Sequence, residues 1–233
     1  MTIDYKEIIS SFTKDDYINH RVNLHIHTTY SDGKGNYRDI VSQAKEKGYK
    51  HIAITDHNTI KGHIENSDLL GFVIPAVEFD VWYKYIFLHL IAYGIDINAQ
   101  CMQKFYAKNK SETEKDIIRI LPTRNIKELI KAIHQASGIA IIAHPACSWA
   151  LNMDEFIKDL KNIGLDGMEI YYPYPRWRKY MKFAPLDKLE QIADKYNLIK
   201  TGGTDLHDIQ LRYFIYPNSE SHPFIKYIEE KSK

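Results

Sequence analysis

Apolar residues fall along this chain in two alternating rhythms: short continuous runs, and longer stretches in which every third or fourth position is apolar. The runs are Val22 to Thr28, His51 to Asp56, Phe72 to Glu78, Ile86 to Tyr93, Ile139 to His144, Gly167 to Tyr172 and Leu198 to Thr201. Their length and their content of Ile, Val and aromatic residues predict buried strands. The stretches between them predict helices. One spans about Tyr37 to Lys47, with Tyr37, Ile40, Val41 and Ala44 on one face and Gly48 as its stop. A second opens on Asn125 in a capping-box pattern, carries Leu129, Ile130 and Ile133 on one face, and stops at Gly138. Two more span about Asp154 to Asn162 and Leu186 to Tyr196. Residues 1 to 20 hold a weaker helical pattern (Ile8, Ile9, Phe12), expected to pack outside the main body without chemistry. About seven strands alternating mainly with helices imply a parallel α/β arrangement rather than a sandwich. Residues 96 to 122 break the rhythm. They are charged and helix-prone, end at Pro122, and read as a short helical insertion over the site, within a single domain spanning 1 to 233.

Composition narrows the function classes. The 233 residues are 44% hydrophobic, enough for one sizeable core. Lys plus Arg (31) nearly cancels Asp plus Glu (30), so no overall field draws the protein to nucleic acid or an anionic membrane. No stable nucleic-acid complex is expected. The N-terminus lacks the apolar core of a secretory signal, and the longest apolar runs are too short to span a bilayer. Two cysteines, Cys101 and Cys147, lack a pairing pattern and read as free thiols in a reducing compartment. The expected location is the cytoplasm.

The chemistry lies at the strand ends. In His25-Ile26-His27 alternate side chains share a face, about 7 Å apart along an extended backbone, with Asp32 following where the strand gives way to a loop. Asp56-His57-Asn58 repeats the position after the second strand, Glu78 ends the third, and His144 closes the fifth. Asp205 and His207 follow the last, in Gly202-Gly203-Thr204-Asp205-Leu206-His207, where the glycine pair reads as a close approach to the site. His89 sits inside an apolar strand, where an unpartnered imidazole is costly. In a parallel α/β barrel such ends share one rim, so scattered ligands become one site. His20, His51, His63, His134 and His222 read as ordinary surface or core-satisfied histidines. Six imidazoles and three carboxylates exceed one tetrahedral zinc, so two or three ions sharing bridging groups are expected, an arrangement suited to phosphate-ester hydrolysis. Manganese, iron and zinc suit these ligands, magnesium less well. No P-loop, dinucleotide fingerprint or nucleophile elbow competes.

His25-x-His27-Thr-x-x-Ser31-Asp32-Gly33, Ile54-Thr-Asp-His57-Asn, Pro75-Ala-Val-Glu78, His89, Ala143-His144-Pro145 and Gly203-Thr-Asp205-x-His207 together resemble the successive motifs of the PHP (polymerase and histidinol phosphatase) family of metal-dependent phosphoesterases. The resemblance covers about residues 22 to 208. It implies a distorted (β/α)7 TIM-like barrel with a trinuclear centre at the carboxyl ends of the strands. It assigns His25, His27 and Asp205 to one ion, Glu78 as a bridge to a second completed by His89 and His144, and Asp32, His57 and His207 to a third. No ligand position is missing, unlike in decayed PHP modules. Thr204 replaces a more usual Ser, and the insertion before the Ala-His-Pro motif is short compared with members that act on nucleotides and oligoribonucleotides.

The expected reaction is attack on a phosphate ester by a metal-activated hydroxide, with Asp205 and His207 managing the proton. The expected substrate is a small phosphomonoester or a nucleotide-type compound. Alternatives are histidinol-phosphate or phosphotyrosine phosphatase activity, and, from another class, a non-catalytic metal-stabilised binding module. Arg176 and Arg178, in the aromatic and basic stretch after the sixth strand, and Lys34 are the candidates for phosphate contact.

Overall fold

The computed structural model describes residues 3–121, 124–172 and 184–211. Pro122, Arg176, Arg178, His222 and the charged tail from 219 to 233 lie outside the described residues.

The apolar runs become one sheet in sequence order: β1 (Val22–Asn23), β2 (His51–Ile54), β3 (Val73–Tyr83), β4 (Ile86–Tyr93), β5 (Ile139–Ile142), β6 (Gly167–Tyr171) and β7 (Ile199–Gly202). β1, β2 and β3 are parallel, as are β5, β6 and β7. β4 is antiparallel to both neighbours, which corrects the wholly parallel reading. Only Lys84 and Tyr85 separate β3 from β4, and two residues can reverse a chain but cannot carry a parallel crossover. Lys84 takes the left-handed φ of 55° that such a turn demands. β3 also runs five residues past Glu78, so that ligand lies within a strand rather than at its end.

The two outer edges of the sheet meet. Leu24 N–H donates to the carbonyl of Gly202 (3.1 Å), His27 N–H to that of Leu206 (2.8 Å), and Ile26 forms a parallel bridge with Leu206. The result is a distorted barrel whose seam lies between the chain following β1 and the chain following β7.

The helices are α1 (Tyr5–Ser11), α2 (Lys14–Ile18), α3 (Tyr37–Glu46), α4 (Lys61–Glu65), α5 (Ser111–Glu114), α6 (Asp116–Arg119), α7 (Ile126–Gln135), α8 (Met153–Asn162) and α9 (Leu186–Lys195). Asn36, Asn125 and Asn152 cap α3, α7 and α8 by accepting backbone N–H bonds through their side chains. α7 buries Leu129, Ile130 and Ile133, each worth about 1.5–3 kcal/mol of transfer free energy. The left-handed residue after α7 is Ser137 (φ 64°) rather than Gly138. The N-terminal stretch forms two helices instead of one. α2 packs against β1 and β6, and α1 against β7, so they brace the first and last strands. Tyr17 stacks on Tyr171, with centroids 5.2 Å apart. Among the described residues no helix is long and apolar enough to cross a membrane. Cys101 and Cys147 are free thiols, as expected.

Candidate metal centre

The extended chain after β1 carries His25 and His27 with their Nε2 atoms 3.1 Å apart. Asp205 Oδ1 faces both, at 3.4 and 3.1 Å, from the other side of the seam. Glu78 stands at the centre. Its Oε2 lies 3.3 Å from His25, 3.2 Å from His27 and 3.5 Å from His57, while its Oε1 lies 3.0 Å from His89 and 3.3 Å from His144. Asp32 meets His207 at 3.3 Å and His27 and His57 at 3.7 Å. All nine side chains singled out as ligands therefore converge. Their donor atoms fall into three compact sets, each within 4.8 Å: His25, His27 and Asp205; His25, Glu78 and His144; and His27, Asp32, His57 and His207. His27 thus adjoins two sets, whereas His89 stands slightly apart, its Nε2 taken by Asp80 at 3.1 Å.

Backbone geometry places these groups. A Cβ on Gly33 would lie 2.4 Å from the carbonyl of His27, and one on Gly203 would lie 2.3 Å from the Cβ of His25. Both glycines therefore let neighbouring chain press against the histidine pair, and Gly203 makes the close approach read from its motif. Asp205 (φ 49°) and His144 (φ 28°) hold left-handed backbone, a conformation that costs about 1–3 kcal/mol and is retained where the surroundings fix it. Asp56 accepts from Thr28 N–H, Thr28 Oγ1–H and Ser31 Oγ–H at 2.6–2.7 Å, so its role is to fix the loop that presents Asp32.

The electrostatics are those of a crowded, water-poor site. Burial disfavours the charged form of His27, yet the carboxylates of Asp205 and Glu78 outweigh it and raise its pKa to about 10. His89 is raised to about 9 by the same contest, with Glu78 and Asp80 prevailing. Burial wins at His57 and depresses it to about 3. Burial also opposes ionisation of Glu78 and Asp205, but His25 and the other facing imidazoles hold both carboxyls well below the ordinary range.

Whether these residues fit cations can be judged from their unpaired atoms. Among the described residues, His27 Nδ1, His57 Nδ1, His89 Nδ1, Asp32 Oδ1 and Asp80 Oδ1 are buried without a hydrogen-bond partner, although oppositely charged atoms face them. Nitrogen and carboxylate lone pairs gathered at such distances without hydrogen-bond alignment form a donor set for divalent cations, so the residues fit.

Several buried groups escape the sequence reading. Glu169, within β6, accepts from His25 Nδ1–H (3.0 Å) and from His144 N–H (2.9 Å), fixing the orientation of both. Tyr172 Oη–H donates to Asp205 Oδ2 (2.8 Å), which leaves Oδ1 for the cluster. Asp80, two residues past Glu78, takes the side chain of Asn58 and faces His89 and His57. Arg119, from the insertion, puts Nη1 3.1 Å from Asp32 and Nε 4.0 Å from Asp80. An acidic residue inside an apolar strand was a readable signal for Glu169, by the same reasoning that singles out His89. Lys34 is exposed, and its backbone N–H donates to the backbone carbonyl of His207. Arg176 and Arg178 lie outside the described residues.

A cavity of about 620 Å³ opens beside the cluster. Asp80, His89, His144 and Arg119 line its polar side, and Trp82, Phe87, Ile120 and Trp149 are among its apolar walls.

Comparison with known proteins gives the same family as the motifs. The PHP domain profile matches residues 23–200. A phosphoribosyl 1,2-cyclic phosphate 1,2-diphosphodiesterase of Eggerthella lenta is 20% identical over 255 aligned residues, covering 79% of this chain and 93% of the relative. A 5'-3' exoribonuclease of Salmonella typhimurium is 30% identical over 171 residues, covering 66% of this chain and 57% of the relative. The solved structure of a candidate metal-dependent phosphoesterase from Bifidobacterium adolescentis superposes with a TM-score of 0.66 at 19% identity, covering 89% of this chain and 94% of that one. With that profile spanning most of the barrel and every motif on its rim, the chain belongs to the PHP domain family.

Proposed function

We propose that this protein is a phosphoesterase that uses two to three divalent ions to hydrolyse a small phosphomonoester or a nucleotide-type ester. The observation that carries the reading is the rim cluster itself: three sets of donor atoms linked through His25 and His27, with buried nitrogens and oxygens unpartnered among the described residues. His25, His27 and Asp205 would hold one ion, Glu78 with His89 and His144 a second, and Asp32, His57 and His207 a third. When bound, such ions supply Lewis acidity, activating water and screening the charge of the phosphoryl group.

The remaining tasks fall to the chain. Glu169 and Tyr172 fix the faces that His25 and Asp205 present. His207 is the most exposed of the six imidazoles, with 26% of its side chain open to solvent, and its Nδ1 lies 3.4 Å from Asp205 Oδ1. In this reading that pair would take a proton from attacking water and release it to bulk solvent. The names of the relatives, a diphosphodiesterase and an exoribonuclease, favour a phosphorylated ribose or nucleotide as substrate.

Protein loaded with manganese is expected to cleave an aryl phosphate or an aryl phosphodiester, and to lose that activity to a chelator. Full metal content with neither ester cleaved would overturn the reading in favour of a metal-stabilised binding module.

A further inference from the structure

Asp80 faces two of the proposed ion sites without belonging to either. The residue is 1% exposed. In the β3–β4 hairpin it stands directly opposite His89 and two residues past Glu78, so all three side chains share the face turned to the cluster. Its backbone N–H donates to Asn58 Oδ1 (3.1 Å), and Asn58 Nδ2–H donates back to Asp80 Oδ2, a reciprocal pair that fixes which way the amide points and commits Oδ2. Arg119 Nε, 4.0 Å from the same oxygen, brings an offsetting charge from the insertion, and Arg124 Nη1–H donates to the Asp80 carbonyl (3.1 Å). Oδ1 is left. It is buried with no aligned hydrogen-bond partner among the described residues, 3.1 Å from His89 Nε2 and 3.7 Å from His57 Nδ1.

An imidazole that gives one lone pair to an ion carries its proton on the other nitrogen. His89 turns Nδ1 toward Glu78 Oε1 (3.0 Å), which leaves the proton for Nε2. His57 turns Nε2 toward Asp32 Oδ2 (3.7 Å), which leaves its proton for Nδ1. The two histidines thus need opposite tautomers, and Asp80 Oδ1 faces the protonated nitrogen of each. Glu78 Oε2 is slightly nearer to His57 Nδ1, at 3.5 Å, but a carboxylate assigned to bridge two ions has its lone pairs engaged.

We propose that Asp80 is a positioning residue that sets these tautomers, holding the proton on Nδ1 of His57 and on Nε2 of His89, so that one carboxylate orients a ligand of the third ion and a ligand of the second. The proposal rests on the ligand assignment given above. The site of His25, His27 and Asp205 has its own support, since there Glu169 orients His25.

The test is nitrogen–proton correlation NMR of the histidine side chains in protein loaded with zinc, which is diamagnetic, together with zinc competition against a chelator, on wild type and Asp80→Asn. In wild type, His57 is expected as the Nδ1–H tautomer and His89 as the Nε2–H tautomer. Asp80→Asn keeps an oxygen for Asn58 but sets an amide donor where Oδ1 stood, facing two N–H groups. It is expected to shift or broaden the His57 and His89 signals, to leave that of His25 in place, and to weaken the ions held by His57 and His89 roughly 10- to 100-fold while the ion at His25 stays. Either histidine of wild type carrying its proton on the opposite nitrogen would overturn the proposal, whether or not the variant folds. Tautomers and zinc affinities unchanged in Asp80→Asn would overturn it as well. So would loss of every ion with a displaced His25 signal, which marks a general structural role. A wild type that takes up no zinc would instead overturn the ligand assignment beneath it.

Discussion

Two buried histidine environments, one at His63 and one at the rim, are satisfied in different ways. His63, on α4, is fully used by protein: Tyr37 Oη–H donates to its Nδ1 (3.0 Å) and its Nε2–H donates to the carbonyl of Ile54 (2.8 Å). Burial pushes its pKa down, outweighing the Ile54 carbonyl and the Asp56 carboxylate, which favour the charged form. At the rim, His27 and His57 are as deeply placed and His89 is partly so, yet each keeps a nitrogen without a hydrogen-bond partner among the described residues, pointed at carboxylate oxygens. The first environment is finished by folding alone. The second gathers imidazoles and carboxylates that hydrogen bonds alone do not satisfy, an arrangement that a cation would balance.

The comparison is broken most severely at the rim. Asp205→Ala and His144→Ala are each expected to lower hydrolytic activity by about a thousandfold or more and to lose bound metal, while far-ultraviolet circular dichroism stays unchanged. Metal stoichiometry retained in both variants would remove these residues from the proposed ligand set. His63→Ala should act on the opposite property. It strands Tyr37 Oη and the Ile54 carbonyl and opens a cavity, so denaturant titration should show a loss of about 2–4 kcal/mol, with metal content preserved.

A smaller effect, of a few degrees in melting temperature, is expected from pH. In metal-free protein His27 and His89 titrate at about 10 and about 9, above the 6.5 of an unfolded histidine, so the native state holds more protons than the unfolded one. Their contribution is fully present below pH 6.5 and is lost as pH rises from there to about 10. His63, shifted downward, contributes in the other direction and loses stability below pH 6.5. Thermal melts of chelated protein should therefore fall on the alkaline side, and saturating manganese should flatten that limb. A chelated protein equally stable at pH 7 and pH 9.5 would contradict the charge state assigned to the rim.

Much of this was legible in the chain because periodicity reports burial and burial reports strands. The strands and the main helices follow their apolar patterns, and the nine rim residues stand out as polar side chains where apolar ones were expected. The orientation of β4 was equally legible in principle, since Lys84 and Tyr85 leave no room for a crossover. Asp80 was hidden by ending the third strand at Glu78, although Phe79, Val81 and Trp82 continue it. Arg119 has no local signal: one buried guanidinium in a charged, helix-prone stretch looks like its solvated neighbours, and only the folded insertion shows which of them is enclosed.

The seam between β1 and β7 has a consequence for the life history of the molecule. Ile26 pairs with Leu206, and the proposed ligands His25, His27, Asp205 and His207 flank that bridge from opposite ends of the chain. A nascent polypeptide emerging from the ribosome carries its first two imidazoles early but has no Asp205 or His207 to set beside them until nearly the whole barrel has been translated. Completion of the proposed His25–His27–Asp205 set is thus deferred until the seventh strand has been made, and truncation before residue 205 removes the carboxylate that faces both histidines.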